Sequence, residues 1–176
     1  NLTVASADVG GTLNLTGGGT IGQSVAIHAN ALNATTTNGA ITLTNAANAI
    51  NTASLSTSGA DNASLTDASA LTVGSATIGG DLTLNGASSI GQTGAIHAHA
   101  LNVASTGGAI ALTNAGNNFA TATVAASGAN NASLTDGANL TLASADVGGN
   151  LALNGGGSIG QSGAVQAGTL NVTTSG

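Results

Sequence analysis

A gapless self-alignment constrains this chain more than any other feature of its sequence. With residue 1 laid on residue 70, positions 1–69 match positions 70–138 at 40 of 69 sites. Positions 139–176 match positions 1–38 at 25 of 38. Ile21-Gly22-Gln23, Ile90-Gly91-Gln92 and Ile159-Gly160-Gln161 show the step directly, as do Asn62-Ala63-Ser64-Leu65-Thr66-Asp67 and Asn131-Ala132-Ser133-Leu134-Thr135-Asp136. Repetition without insertions reads as one array of stacked units, each burying its apolar side against the next. Units 1–69, 70–138 and a partial 139–176 therefore form a single solenoid segment.

A shorter step lies inside the unit. Every twenty-third residue from Val4 is apolar: Ile27, Ile50, Val73, Ile96, Phe119, Leu142, Val165. So is every twenty-third from Val9: Leu32, Leu55, Ile78, Leu101, Val124, Val147, Leu170. Around them stand short alternations such as Leu2-Thr3-Val4, Leu13-Asn14-Leu15, Ile41-Thr42-Leu43 and Leu82-Thr83-Leu84. Period-two alternation is the pattern of a strand with one buried face, and the Gly-Gly, Asn-Gly and Ser-Gly clusters between them mark sharp turns. The expected fold is all-β: a parallel β-helix with three 23-residue coils in each 69-residue unit. With strands ~4.8 Å apart, about 7.6 coils would extend roughly 37 Å. Ile21, the Ile41/Leu43 pair and Leu65 depart from the strict step and suggest a third, less regular side; a two-sided coil is the alternative.

Composition fits a narrow interior. Hydrophobic residues make up 41% of the chain and charged ones 3%, the reverse of the disordered signature. Phe119 is the only aromatic, so Val, Ile, Leu and Ala must fill the coil. Gly and Asn suit corners that need positive φ. Lys and Arg are absent, which removes the cations that neutralise phosphates and argues against nucleic-acid partners. No cysteine is present to form a disulfide, a thiolate zinc site or a thiol nucleophile. No apolar run reaches the ~20 residues of a helical membrane span. Neither end shows a polar capping element, and the expectation is a longer shaft or a unit that stacks end to end on its own kind.

Segments such as Gly39-Ala40-Ile41-Thr42-Leu43-Thr44-Asn45, Gly80-Asp81-Leu82-Thr83-Leu84-Asn85 and Ala138-Asn139-Leu140-Thr141-Leu142 resemble the repeat region of filamentous-haemagglutinin-like adhesins, the large exoproteins of bacterial two-partner secretion. The resemblance covers the whole chain. It implies a right-handed β-helical shaft exported to the bacterial surface, with adhesion to a host or cell surface residing in other regions. It brings no catalytic residues.

Residues with chemistry are few. His28 and His97 follow ladder residues and should face outward; His99 is the third imidazole, and Gln166 replaces His in the partial unit. Asp8, Asp61, Asp67, Asp81, Asp136 and Asp146 read as turn caps. Asp67 and Asp136, three coils or roughly 14 Å apart on the 23-residue step, are too distant for a glycosidase pair. Gly79-Gly80-Asp81 approaches a calcium-binding nonapeptide without its spacing or its recurrence. Gly17-Gly18-Gly19 has no following Lys-Ser/Thr of a phosphate loop. Asn-x-Ser/Thr triplets, as at Asn33 and Asn131, are frequent at this composition. The reading assigns no catalytic, cofactor-binding or metal residues.

Three functions compete for such a coil: a structural shaft, an ice- or carbohydrate-binding solenoid, and a polysaccharide lyase. Lyase chemistry needs a base and cations for acidic sugars. Carbohydrate recognition wants an aromatic platform, and Phe119 belongs to a buried series. Ice binding wants outward Thr on every coil, yet the 23-residue step gives Thr3, Ala26, Ala49, Thr72, Ala95, Asn118, Thr141 and Ala164. The structural shaft, non-catalytic and extracellular, is the expectation.

Overall fold

The computed structural model describes residues 1–175. The first unit forms β1 (Leu2–Val4), β2 (Ala7–Gly17), β3 (Ile21–Gln23), β4 (Ile27–Thr36), β5 (Ile41–Leu43), β6 (Ala49–Ser56) and β7 (Ala63–Asp67). The second repeats the series as β8 (Leu71–Thr77), β9 (Leu82–Gly86), β10 (Ile90–Gln92), β11 (Ile96–Ser105), β12 (Ile110–Leu112), β13 (Asn118–Ala126) and β14 (Ala132–Asp136). The partial unit gives β15 (Leu140–Gly155), β16 (Ile159–Gln161) and β17 (Val165–Thr174). No helix occurs among the described residues.

Two ladders of parallel pairing run from end to end. One passes through Leu2, Ile21, Ile41, Ala63, Leu82, Leu101, Ala122, Leu142 and Gln161. The other passes through Thr12, Ala31, Thr52, Thr72, Gly91, Ala111, Ser133, Ala152 and Asn171. The fold is a β-solenoid of about 9 turns with about 20 residues per turn. At ~4.8 Å per turn its stacked strands span roughly 40 Å.

The turn is therefore shorter than the 23-residue step of the apolar series, and there are about 9 turns rather than 7.6. Members of the Val4 series do not stack on one another. Each large member instead lies beside an alanine of the preceding turn: Ile27 on Ala7, Ile50 on Ala29, Val73 on Ala53, Ile96 on Ala76, Phe119 on Ala98, Leu142 on Ala122 and Val165 on Ala145. The step of the series is one turn plus two or three residues. Where it is three, the extra residue is absorbed at a corner or a bulge, such as the register shifts after Ala53 and Ala122, where alternation resets. Large-on-small pairing fills a narrow interior without overpacking. The positions assigned to the interior are inside nonetheless: Ile27, Ile50, Ile96, Leu101 and Phe119 are fully buried.

Residues assigned to an irregular third side prove to be the true vertical neighbours. Ile21 pairs with Ile41 and Leu43 with Leu65. What varies is the side opposite each straight strand, which holds either one long strand or two short ones around a corner. In the second turn β3 leads to a bent β4, whereas in the fourth β7 leads directly to β8.

A 69-residue unit thus spans three and a half turns, not three. Ile21 belongs to the first ladder; its equivalent Ile90 pairs with Leu71 and Ile110 in the second. One unit further on, β16 has returned to the first ladder beside β15. Equivalent residues of consecutive units therefore face opposite sides of the solenoid.

Positive φ is confined to Gly39, Gly59 and Gly128 among the described residues, so asparagine serves the corners in another way. Gly59 and Gly128 are repeat equivalents at φ 64° and 70°. The next turn lays Gly79 and Gly148 directly on them, so close that a Cβ there would collide with the Gly59 and Gly128 carbonyl oxygens. At the last described turn the inward stacks emerge into solvent, with Leu170 47% and Val172 49% exposed.

Candidate functional site

Polar chemistry is concentrated in one internal corner, present twice. Alternation places Gln23 at the inward position of β3 that Val4 occupies in β1 and Leu43 in β5. Its amide meets Asn48 of the next turn in a reciprocal pair: Gln23 Nε2 donates to Asn48 Oδ1 at 2.8 Å and Asn48 Nδ2 donates to Gln23 Oε1 at 3.0 Å. Asn48 Nδ2 also donates to the Thr66 carbonyl at 2.9 Å and the Leu43 carbonyl at 3.2 Å, while Asn48 Oδ1 accepts from Ile27 N at 2.8 Å. One turn further on, Asp67 Oδ2 accepts from Ile50 N at 2.8 Å, and Oδ1 accepts from Ser69 N and Oγ at 2.7 and 2.6 Å.

The second unit repeats the corner three and a half turns along, on the opposite side of the solenoid. Gln92 and Asn117 pair at 2.8 and 2.9 Å, Ile96 N donates to Asn117 Oδ1 at 2.9 Å, and Phe119 N donates to Asp136 Oδ2 at 2.8 Å. These side chains take the backbone groups that strand pairing leaves over at a corner, the accounting that every buried amide requires. Asn48, Asp67, Asn117 and Asp136 are buried, and no buried side-chain polar atom among the described residues lacks a partner. The corner is a structural clamp.

Asp67 carries a consequence for pH. Burial pushes its carboxyl above the ordinary 3.8, although hydrogen bonds from Ser69 and Ile50 pull the other way. An acid with its folded pKa raised gives stability that is complete below the unfolded pKa and is lost as pH rises through the folded value. We expect the Asp67 carboxyl carbon, followed by NMR, to titrate with a midpoint above 3.8. A midpoint at or below that value would contradict the assignment.

Of the remaining candidates His99 and Asp81 meet as a pair, and the others lie apart. His28, His97 and His99 are exposed. His97 Nε2 lies 3.1 Å from the Gly116 carbonyl, and His99 Nδ1 lies 2.9 Å from Asp81 Oδ1, with the imidazole largely in solvent and the carboxylate half-buried. Asp61 Oδ2 accepts from Gly39 N at 2.7 Å, a turn cap. Asp8 and Asp146 are exposed. Asp67 and Asp136 do not sit three turns apart on one side: they lie three and a half turns apart, on different ladders. Among the described residues no three His, Cys, Asp or Glu side chains come together as a metal site. A shallow groove of about 310 Å³ follows the outward column Thr135, Asn154 and Thr173.

The fold places the chain among β-solenoid repeat proteins. It belongs to the family described as Repeats of unknown function (DUF5649), whose model matches residues 1–57, 60–126 and 129–176. The second and third matches begin at residues 60 and 129, one repeat length apart. No curated protein and no solved structure matches the chain.

Proposed function

We propose that this chain is a length of structural shaft from a bacterial surface adhesin or extracellular filament, acting without catalysis. One observation carries the reading: two uninterrupted parallel ladders cross all of the turns, so an axial load is borne by backbone pairing along the whole segment. The internal polar corners support it, because they keep the ladders in register where the strand pattern changes. Resemblance to filamentous-haemagglutinin-like repeats supports the extracellular setting.

Electron microscopy of the complete parent chain tests the proposal. Its repeat region should appear as an unbranched rod that lengthens by ~4.8 Å for each further turn of sequence. A compact particle, or a flexible string without a persistent axis, would remove the shaft reading.

A further inference from the structure

Outward columns read at the observed register differ from those of a 23-residue step. On the second ladder the first four turns present three columns side by side. One holds Thr12, Ala31, Thr52 and Thr72. The next holds Asn14, Asn33, Ser54 and Ser75. The third holds Thr16, Thr35, Ser56 and Thr77. Nine of these twelve residues carry hydroxyls, two carry amides, and none is charged. Successive turns set the rows ~4.8 Å apart, and two residues of parallel strand set the columns about 6.6 Å apart. The grid is about 14 Å on each side.

Its chemistry is that of a fixed template. The six threonines, β-branched and so restricted at χ1, present a methyl beside the hydroxyl, while Ser54, Ser56 and Ser75 present the hydroxyl alone. The inward Thr36 and Thr57 spend their hydroxyls on the Gly39 and Asp61 carbonyls, whereas the grid hydroxyls have no partner within the described residues. Asn33 Nδ2 donates to Asn14 Oδ1 at 2.8 Å and holds the middle column in register. The fourth row carries a bulge at Gly74, so the strict spacing belongs to the first three.

The unit of three and a half turns supplies an internal comparison. At the same repeat positions one unit on, Asp81 and Asp146 replace Thr12 and Thr77, and Ala104 and Ala125 replace Thr35 and Ser56. Of the twelve outward positions five keep their residue one unit on, and the hydroxyls fall from nine to five. The neutral grid of nine hydroxyls is therefore a property of the face formed by β2, β4, β6 and β8, which spans the first unit and opens the second.

We propose that this face binds an ordered lattice of water, the surface of an ice crystal. A regular, uncharged array of hydroxyls matches a repeating water surface and orders its waters at low entropic cost, because strand pairing fixes the backbone beneath it and β-branching restricts the threonines. A sugar chain would call for an aromatic platform, and Phe119 is buried in the interior.

Ice growth in the presence of the purified chain tests this. The chain should shape growing crystals, separate the melting and freezing temperatures, and suppress recrystallisation. Ser54→Lys, which sets a cation in the middle of the grid, should abolish all three. Thr123→Lys, the same repeat position on the opposite face, should leave them intact. Circular dichroism of both variants should show the parent fold. Three results would overturn the proposal: no effect on ice from the parent chain, equal loss in the two folded variants, or capture on crystalline cellulose or chitin that Ser54→Lys removes without any effect on ice.

Discussion

Leu101→Asp should unfold the middle turns of the solenoid, while His97→Ala should leave its melting temperature unchanged. Leu101 is fully buried between Leu82 of the preceding turn and Ala122 of the next. An aspartate there loses the apolar burial of leucine and puts a carboxylate where no donor is free to meet it. An unpaired buried charge costs several kcal/mol, and with the lost packing the penalty is roughly 4 kcal/mol or more. That is a large share of the total stability of a typical domain, which is itself on the order of 10 kcal/mol. In a solenoid each turn touches only its neighbours, so a failed turn separates the segment into two shorter stacks. His97 is exposed, and loss of its bond to the Gly116 carbonyl should stay within about 0.5 kcal/mol. Thermal melts followed by circular dichroism decide it: similar losses for the two variants would overturn the assignment of inside and outside.

What was legible in the sequence was the sidedness of residues rather than the pitch of the coil. Leu2-Thr3-Val4 and Leu82-Thr83-Leu84 declare which residues point inward, and they do. Pitch is set by backbone pairing, and pairing tolerates a large residue over a small one. Phe119 beside Ala98 is as good an inward contact as leucine on leucine, but a search for unbroken large apolar series passes over alanine. The 69-residue identity added to the misreading. It divides evenly by 23, although its seven strand segments make seven half-turns. Direct stacking was on view in Ile21 over Ile41 and Leu43 over Leu65, where the steps of 20 and 22 looked like irregularity.

The same misreading hid the outward columns of both ladders. On a 23-residue step Thr3 is followed by Ala26, which is not its neighbour. At the true register Thr3 leads through Gly22 to Thr42, Ser64, Thr83, Asn102 and Thr123. The polar corner left a signal of its own. Gln23 and Gln92 stand where alternation demands an apolar residue, and a polar side chain at an inward site must have a buried partner. Asn48 and Asn117, each three places after another asparagine, were the matching half. Nothing in a one-dimensional spacing joins Gln23 to Asn48 when that separation is longer than the turn itself.

Asn117→Ala should cost more stability than any exposed polar substitution in the chain, and Asn117→Asp should make that cost depend on pH. The Asn117 amide donates to the Thr135 and Leu112 carbonyls at 2.9 and 3.3 Å and accepts from Ile96 N and from Gln92. Alanine strands these partners in a site that is 1% exposed. Each buried group left unmade costs about 1–3 kcal/mol, and partial relaxation around Gln92 brings the total to about 4 kcal/mol. Aspartate keeps the acceptor for Ile96 N but sets a negative charge against two carbonyl oxygens. Its folded pKa must therefore rise, so the stability it offers is present when protonated and lost as pH climbs through the raised value. Asn117→Asp should melt lowest near neutral pH and recover in part on acidification, when the protonated oxygen can again donate to one carbonyl. Asn117→Ala, with nothing to titrate at that site, should show no such recovery beyond that of the parent chain. Melting curves of the three proteins at several pH values test this directly: a parent-like melting temperature for Asn117→Ala, or parallel pH profiles for the two variants, would mean that the corner does not clamp the turns together.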